Sequence, residues 1–457
     1  MFGGMKHTGY IGGALLAACM FATGAASAAD LGGGCCADLE ERVAELEATT
    51  ARKGNRVVSL QITGAVNEAI LAWDDGVDSD AYVVTNTGYQ TRLNFLGTGQ
   101  INPDLKAGFV VTLGIFGSPS FTVDQTTDEG VGTTAGARPD EIFIRESKVY
   151  IESERLGRLS LGQQHTASDE ITAINVARSV YVDSSAHQVF IGSFRLRSGD
   201  GPLTAFRFAN LMGSDATNPA GDAARFDVVR YDSPSIAGFK ISASWGEDNM
   251  WDAALRYAGL LGGRFKTAAG IAYGARTDGD FVPGTSINGT AGSNINGCLF
   301  ANNEVDCHQL GMSGSIMDMG TGLFVHAAYG INTDENKPDG VDNENTFLYL
   351  QAGIEKKFMA YGATTLFAAY GQYDTGFSRV SLGGGAVGSF ENGNVEMWGL
   401  GVVQNFEAAS LDLYLKYNHY TSSADELTTN IPGAGGNVGD VEFNDFDVIY
   451  AGARITF

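Results

Sequence analysis

The sequence predicts an all-β protein, a 16-stranded antiparallel transmembrane β-barrel with one short helix ahead of it. Three observations predict it. Runs of about ten residues alternate between apolar and polar side chains along most of the chain, the period of a strand with two unlike faces. The connections between runs are short at one end and mostly long at the other. The composition holds 62 Gly, 26 Phe and 17 Tyr against 9 Pro, so it favours strands and turns while sparing strand interiors from proline. After residue 28 there is no stretch of eighteen apolar residues that would span a membrane as a helix.

The elements follow in order. Residues 1–28 combine Lys6, an apolar run from Ile11 to Phe21 and the small-x-small site Ala26-Ser27-Ala28, which reads as a secretory signal peptide. Leu16-Ala17-Ala18-Cys19 offers an alternative, a lipoprotein cleavage box that would leave Cys19 lipidated. Both readings export the chain. Residues 29–56 form a second unit, "CCADLEERVAELEATTARKGNR" being its charged part. Leu39, Val43 and Leu46 are spaced four and three apart, and Arg42, Val43, Leu46 and Glu47 fit the pattern of short trimeric coiled coils. A helix of about fifteen residues is marginal alone, so it needs partner helices or stays solvated.

From residue 57 to 457 the strand-like runs are 57–73, 89–100, 105–116, 141–153, 158–164, 225–232, 237–246, 250–260, 264–276, 309–318, 323–332, 347–358, 362–374, 395–406, 411–420 and 445–457. In the run 411–420 the odd face is Leu411, Leu413, Leu415 and Tyr417, and the even face is Asp412, Tyr414, Lys416 and Asn418. Alternation alone suits a large soluble sandwich equally well. The joins decide between them. "INPD", "ERLG", "SPSI", "LGG", "MGTG", "MAYG" and "EAAS" are short, whereas 74–88, 117–140, 165–224, 277–308, 333–346, 375–394 and 421–444 are long; the brief 247–249 is the exception. Short turns at one rim and long loops at the other are the pattern of an outer-membrane barrel.

Charge and cysteines narrow the function. The full chain has 29 Lys+Arg and 53 Asp+Glu; removing residues 1–28 removes one base and no acid, leaving 28 − 53 = −25. That balance excludes nucleic acid as a partner. Cys298 and Cys307 bracket a polar insert and are expected to pair as a disulfide in an oxidising compartment. His308 beside Cys307 raises a metal reading, but no further ligand is near, so neither metal nor cofactor is expected. The adjacent Cys35 and Cys36 are open to pairing between chains or to modification.

Two segments carry a resemblance. "LEERVAELEATTARKGNRVVSLQITGAVNEAILAWDDG" (39–76) resembles the start of alpha-proteobacterial outer-membrane porins, and "GRLSLGQQ" (157–164) resembles the strand before their inward-folded third loop. "VIYAGARITF" resembles the terminal strand of outer-membrane proteins, ending on the aromatic Phe457 that the barrel assembly machinery reads. The resemblance implies a homotrimeric general-diffusion channel for small hydrophilic solutes and ions, set among outer-membrane lipid and lipopolysaccharide and narrowed by loop 165–224. Within that loop "TASDEITAINVARS" has the caps and end charges of a short helix. Its Asp169, Glu170 and Asp183, with Arg178, are expected to face Arg92, Arg256, Arg264, Arg276 and Arg454 on the polar strand faces, forming a ring of opposed charges at the constriction. With acids dominant in the loops and arginines on the wall, a weak cation preference is expected. Two other classes remain. A non-conducting adhesin or structural barrel is separated by single-channel conductance. A barrel hydrolase, for which no catalytic motif is present, is separated by an ester and peptide panel.

Overall fold

The computed structural model describes residues 57–128, 142–213, 218–247, 249–278, 306–337, 339–383, 386–429 and 436–457. Among them sixteen strands close into a ring: Ser59–Asp74, Arg92–Gln100, Leu105–Ile115, Ile142–Ser153, Gly157–His165, Arg225–Asp232, Phe239–Gly246, Trp251–Leu261, Phe265–Arg276, Cys307–Asp318, Leu323–Asp334, Glu344–Met359, Gly362–Thr375, Asn392–Phe406, Leu411–Thr429 and Phe446–Thr456. Each pairs antiparallel with the next. Phe446–Thr456 returns to Ser59–Asp74, from Ala65 opposite Thr456 to Asp74 opposite Asp447. Every one of the sixteen runs of alternating hydropathy is therefore a barrel strand. The helix expected at 39–52, with Leu39, Arg42, Val43, Leu46 and Glu47, lies outside the described residues, as do the signal peptide and Cys298.

Four further strands extend the long-loop rim. Ser79–Thr85 folds back on Glu68–Asp74. Ser378–Gly383 and Ala386–Phe390 form a hairpin, and Gly436–Glu442 pairs with the upper part of Leu411–Thr429. On sequence alone these stretches read as plain loops.

The outer wall is apolar, as lipid requires. Leu255, Ile271, Val325, Leu350, Leu366, Leu400, Leu413 and Leu415 point outward and are exposed. Aromatic rings flank them at both rims: Trp251 against Tyr273 and Trp398 against Tyr417 near the long loops, Phe239 against Tyr257 and Tyr361 against Phe406 near the short turns. These girdles sit at the depth of the lipid headgroups. Inward positions are polar or small, with Asn67, Ser160, Gln164, Ser242, Ser313 and Gln351 all buried against the lumen contents.

Closure depends on one residue without a side chain. The Gly64 amide donates to the Phe457 carbonyl at 2.9 Å, and the Phe457 amide returns a bond to the Gly64 carbonyl at 3.1 Å. A Cβ on Gly64 would lie 2.6 Å from the Phe457 ring and 2.7 Å from the Arg92 carbonyl. Gly64→Val should force the last residue out of the ladder and destabilise the folded barrel by about 1–3 kcal/mol, the usual cost of overpacking. Heat-modifiable migration on gels reads this directly: the compact band should convert to the unfolded one at a lower temperature than in the parent.

Candidate functional site

Between Gly157–His165 and Arg225–Asp232 the chain turns into the lumen and does not return for nearly sixty residues. Polar groups hold its entry. Buried Asp252 accepts from the Ala167 amide (3.1 Å), the Ser168 amide (2.8 Å) and the Ser168 hydroxyl (2.6 Å). Arg256 donates to the Ala167 and Asp169 carbonyls at 2.6 and 2.9 Å, and Arg230 to the His165 and Thr166 carbonyls at 2.9 and 2.7 Å. The helix expected over this segment does not form. Two 3-10 turns, Ile171–Ala173 and Arg178–Tyr181, replace it, because Glu170 takes a left-handed conformation (φ 60°) and the capping groups are spent on the wall. The exit is cut as closely: Gly311 and Gly330 leave no side chain where the Gly221 and Ala220 carbonyls press on the barrel.

Beyond its entry the inward loop is apolar. Phe190, Phe194, Phe206, Phe208 and Leu211 pack against Trp73, Tyr373, Val395, Tyr420, Phe446 and Tyr450 of the wall. Phe446 meets Phe194 at 4.9 Å and Phe208 at 5.2 Å between ring centroids, and Phe190 meets Tyr450 at 5.5 Å. The Tyr450 and Tyr373 hydroxyls donate to the Phe190 and Ser185 carbonyls at 2.8 and 2.6 Å. Each buried phenyl contributes about 1.5–3 kcal/mol. The loop is thereby held to one wall, and the open space lies against the other.

At the heart of this packing sits a buried charge cluster. Asp183 Oδ1 lies 3.1 Å from His187 Nε2 and 3.6 Å from Lys416 Nζ, and all three side chains are almost wholly buried. Lys416 Nζ also stands 3.1 Å from the centroid of the Phe190 ring. Burial opposes the charge on Asp183, but Lys416 and His187 outweigh it and hold the carboxyl below its usual range. Burial pushes the His187 imidazole below its ordinary value in spite of Asp183.

The cavity left on the opposite side is about 820 Å³. Cations dominate its lining. Arg92, Arg145, Lys148 and Arg158 come from the early strands; Arg225, Arg230, Lys240 and Arg256 come from the strands after the loop. Its acids are Asp169, Glu170, Asp222 and Asp232. Three of these are engaged. Asp169 Oδ2 is 2.8 Å from His165 Nδ1 and 4.0 Å from Arg225. Asp232 is 2.8 Å from Arg230 and 3.3 Å from Lys240. Asp222 accepts from the Ile171 amide and the Thr172 hydroxyl, and burial followed by the neighbouring Asp169 raises its carboxyl well above the usual range. Asp169 resists its own burial through His165, Arg225 and Arg145 and stays below the usual range.

Of the residues singled out from sequence, Asp169, Glu170, Arg92 and Arg256 are placed together on this cavity. The others are placed elsewhere. Asp183 is buried beneath the loop. Arg178 lies 3.7 Å and Arg454 2.5 Å from Asp412, with the Arg454 guanidinium stacked 3.7 Å over Tyr181, so both pin the far end of the loop. Arg264 sits in a short turn, paired with Asp318 at 2.6 Å. Arg276 ends its strand at the long-loop rim, near the Phe226 ring. Reasoning from sequence missed Arg158, Arg230 and Lys240, which the even-position parity of their runs offered. Arg145 was not accessible that way, because the register shifts between Thr112 and Leu113 and makes Arg145 an extra residue.

The chain matches the Gram-negative porin family over residues 14–425. It belongs to that family. The porin is an outer-membrane channel for passive diffusion. No curated protein matches it by sequence. Among solved structures, the anion-selective porin from Comamonas acidovorans is 15% identical with a TM-score of 0.52, over 88% of this chain and 100% of that one. OmpT, an outer membrane protein of Vibrio cholerae, aligns at 13% identity and a TM-score of 0.49, over 89% and 99%. The outer membrane channel DcaP of Acinetobacter baumannii aligns at 13% and 0.46, over 89% and 99%. At such identity the likeness to the first concerns the fold.

Within the porin, Lys416 is the test of how the loop is held. Lys416→Met removes the buried ammonium partner of Asp183 and should cost about 3–5 kcal/mol. Open-channel current should become noisier as the loop loosens, and the folded band should melt earlier. Adding Asp183→Asn to the same chain should recover much of that loss, since the orphaned charge is gone.

Proposed function

We propose that this porin is a homotrimeric channel without catalytic activity that favours small anions. The observation that carries the reading is the charge balance of the constriction: eight Lys and Arg against four acids, 8 − 4 = +4, with Asp222 driven toward its neutral form. This replaces the weak cation preference expected from the loops. Part of the loop charge is offset locally, Asp75 and Asp78 lying 3.0 and 2.7 Å from the one Arg197. Acids at the mouth act across a Debye length of about 8 Å, whereas the wall cations act at contact distance in a narrow passage where screening is weaker. Asp169, Glu170, Arg92 and Arg256 belong to this constriction in our reading. Asp183, Arg178 and Arg454 shape it by fixing the loop. Arg264 and Arg276 tune the two rims.

Reversal potentials of reconstituted channels in a potassium chloride gradient test this. Chloride should permeate several-fold better than potassium at low salt, with the ratio falling as salt rises. Replacing Lys148, Arg158 and Arg230 together by Gln should carry the ratio toward or past unity. A parent channel that prefers potassium refutes the reading.

For the assembly we propose a trimer clamped beneath the barrel by residues 39–52, after export on residues 1–28. Phe457, exposed at the short-turn rim, suits recognition by the assembly machinery, and the outer wall suits lipid and lipopolysaccharide. Cys307, at the head of its strand, is disulfide-bonded; we assign Cys298 as its partner. Val43→Asp with Leu46→Asp should lower the temperature at which trimers dissociate on gels while single-channel conductance persists. Unchanged trimer melting would show that the helix is no clamp.

A further inference from the structure

One part of the lumen wall is unlike the rest. Phe116 and Phe143 stack with centroids 4.7 Å apart and planes 28° apart, and Phe121 meets Phe116 edge-on at 5.4 Å. Phe121 is buried, but Phe116 and Phe143 are only partly so, and all three line the cavity. Phenyl rings facing a water-filled channel are costly unless something apolar visits them. Their polar neighbours are equally unusual. A Cβ on Gly114 would stand 2.5 Å from the Phe143 ring and 3.0 Å from Gln90 Nε2, so ring and amide flank the same bare stretch of backbone. Gln90 is only 3% exposed. Its Oε1 accepts from Arg145 Nη1. Among the described residues, Gln90 Nε2 and Arg145 Nε are buried without a hydrogen-bond acceptor. Buried donors left unmade are expensive, and one of these is charged.

An aromatic face beside a partly exposed guanidinium, itself held by a buried amide, calls for a flat ring bearing an anion. We propose that Phe116, Phe143, Gln90 and Arg145 form a binding subsite for aromatic carboxylates in the channel. The carboxylate pairs with the Arg145 guanidinium, which is partly exposed where it lines the cavity, the buried Gln90 amide holds that guanidinium in place, and the ring lies against the phenylalanines. The inference rests on the anion-preferring reading above, and adds a class of solute that is retained briefly on its way through.

The test uses the purified channel in planar bilayers, with chloride current as the signal and benzoate, cyclohexanecarboxylate and acetate as added blockers. Benzoate should half-block at a concentration about tenfold below acetate and about threefold below cyclohexanecarboxylate, whose puckered ring lacks the flat face. Phe143→Leu should raise the half-blocking benzoate concentration about threefold to tenfold, read against that variant's own current, with acetate block as the internal reference. Benzoate acting no better than acetate on the parent channel overturns the subsite, and so does a Phe143→Leu channel blocked as readily as the parent. Should that variant not insert, the ratio among the three acids on the parent decides alone. The potassium chloride reversal potential in the same membranes keeps the two readings apart. A potassium-selective channel removes the general anion preference, whereas an anion-selective one indifferent to benzoate removes only the subsite.

Discussion

Closure of the sheet is the constraint from which the rest follows. In lipid no water is at hand for an unpaired N–H or C=O, each of which costs several kcal/mol, so a spanning sheet must have no edge. The pairing of Ser59–Asp74 with Phe446–Thr456 removes it. Once the ring is closed, each strand has one face toward lipid and one toward the lumen. Leucine, isoleucine and valine occupy the first, and Asn, Ser, Gln and charged residues the second.

A ring of sixteen strands encloses more space than a selective channel can use. This protein fills the excess with its own chain. Polar groups fix where the loop enters, phenylalanines and tyrosines glue its middle to one wall, and the Asp183–His187–Lys416 cluster sits within that packing. A buried ion pair contributes little net stability, since desolvation offsets most of its attraction. We propose that its value here is positional. A loop packed by apolar contacts alone has several registers of similar energy; a buried carboxylate that must find one lysine has one. The loop's asymmetric placement leaves the open cavity against the cationic wall, the side we propose solutes take.

The proposed selectivity runs against the overall charge of the mature chain. Net charge counts loops and rims that passing ions meet only at a distance and through salt. The passage itself presents guanidinium groups at contact range, and the acids beside them are paired or, in the case of Asp222, biased toward neutrality. Short range and weaker screening give the few residues of the constriction more influence than the many at the surface.

The sixteen strands and the sorting of loops were legible from the sequence, because an alternation of period two is a local property that each strand carries in its own residues. Parity likewise placed Arg92 and Arg256 toward the lumen. What parity could not give was the company each charge keeps. Asp183 and Lys416, Arg178 and Asp412, and Gln90 and Arg145 are far apart along the chain, and their meeting depends on how the inward loop crosses the lumen and on the shifted register at Arg145. The expected loop helix failed for the same reason: Ser168 and Asp169 are good caps in isolation, yet the wall offers Asp252 and His165, and buried long-range bonds outweigh a local propensity of a few tenths of a kcal/mol per residue. The sequence by itself determined that there would be a barrel; the tertiary structure decided where its opening lies, because only the closed ring brings distant side chains into a space with little water to compete for them.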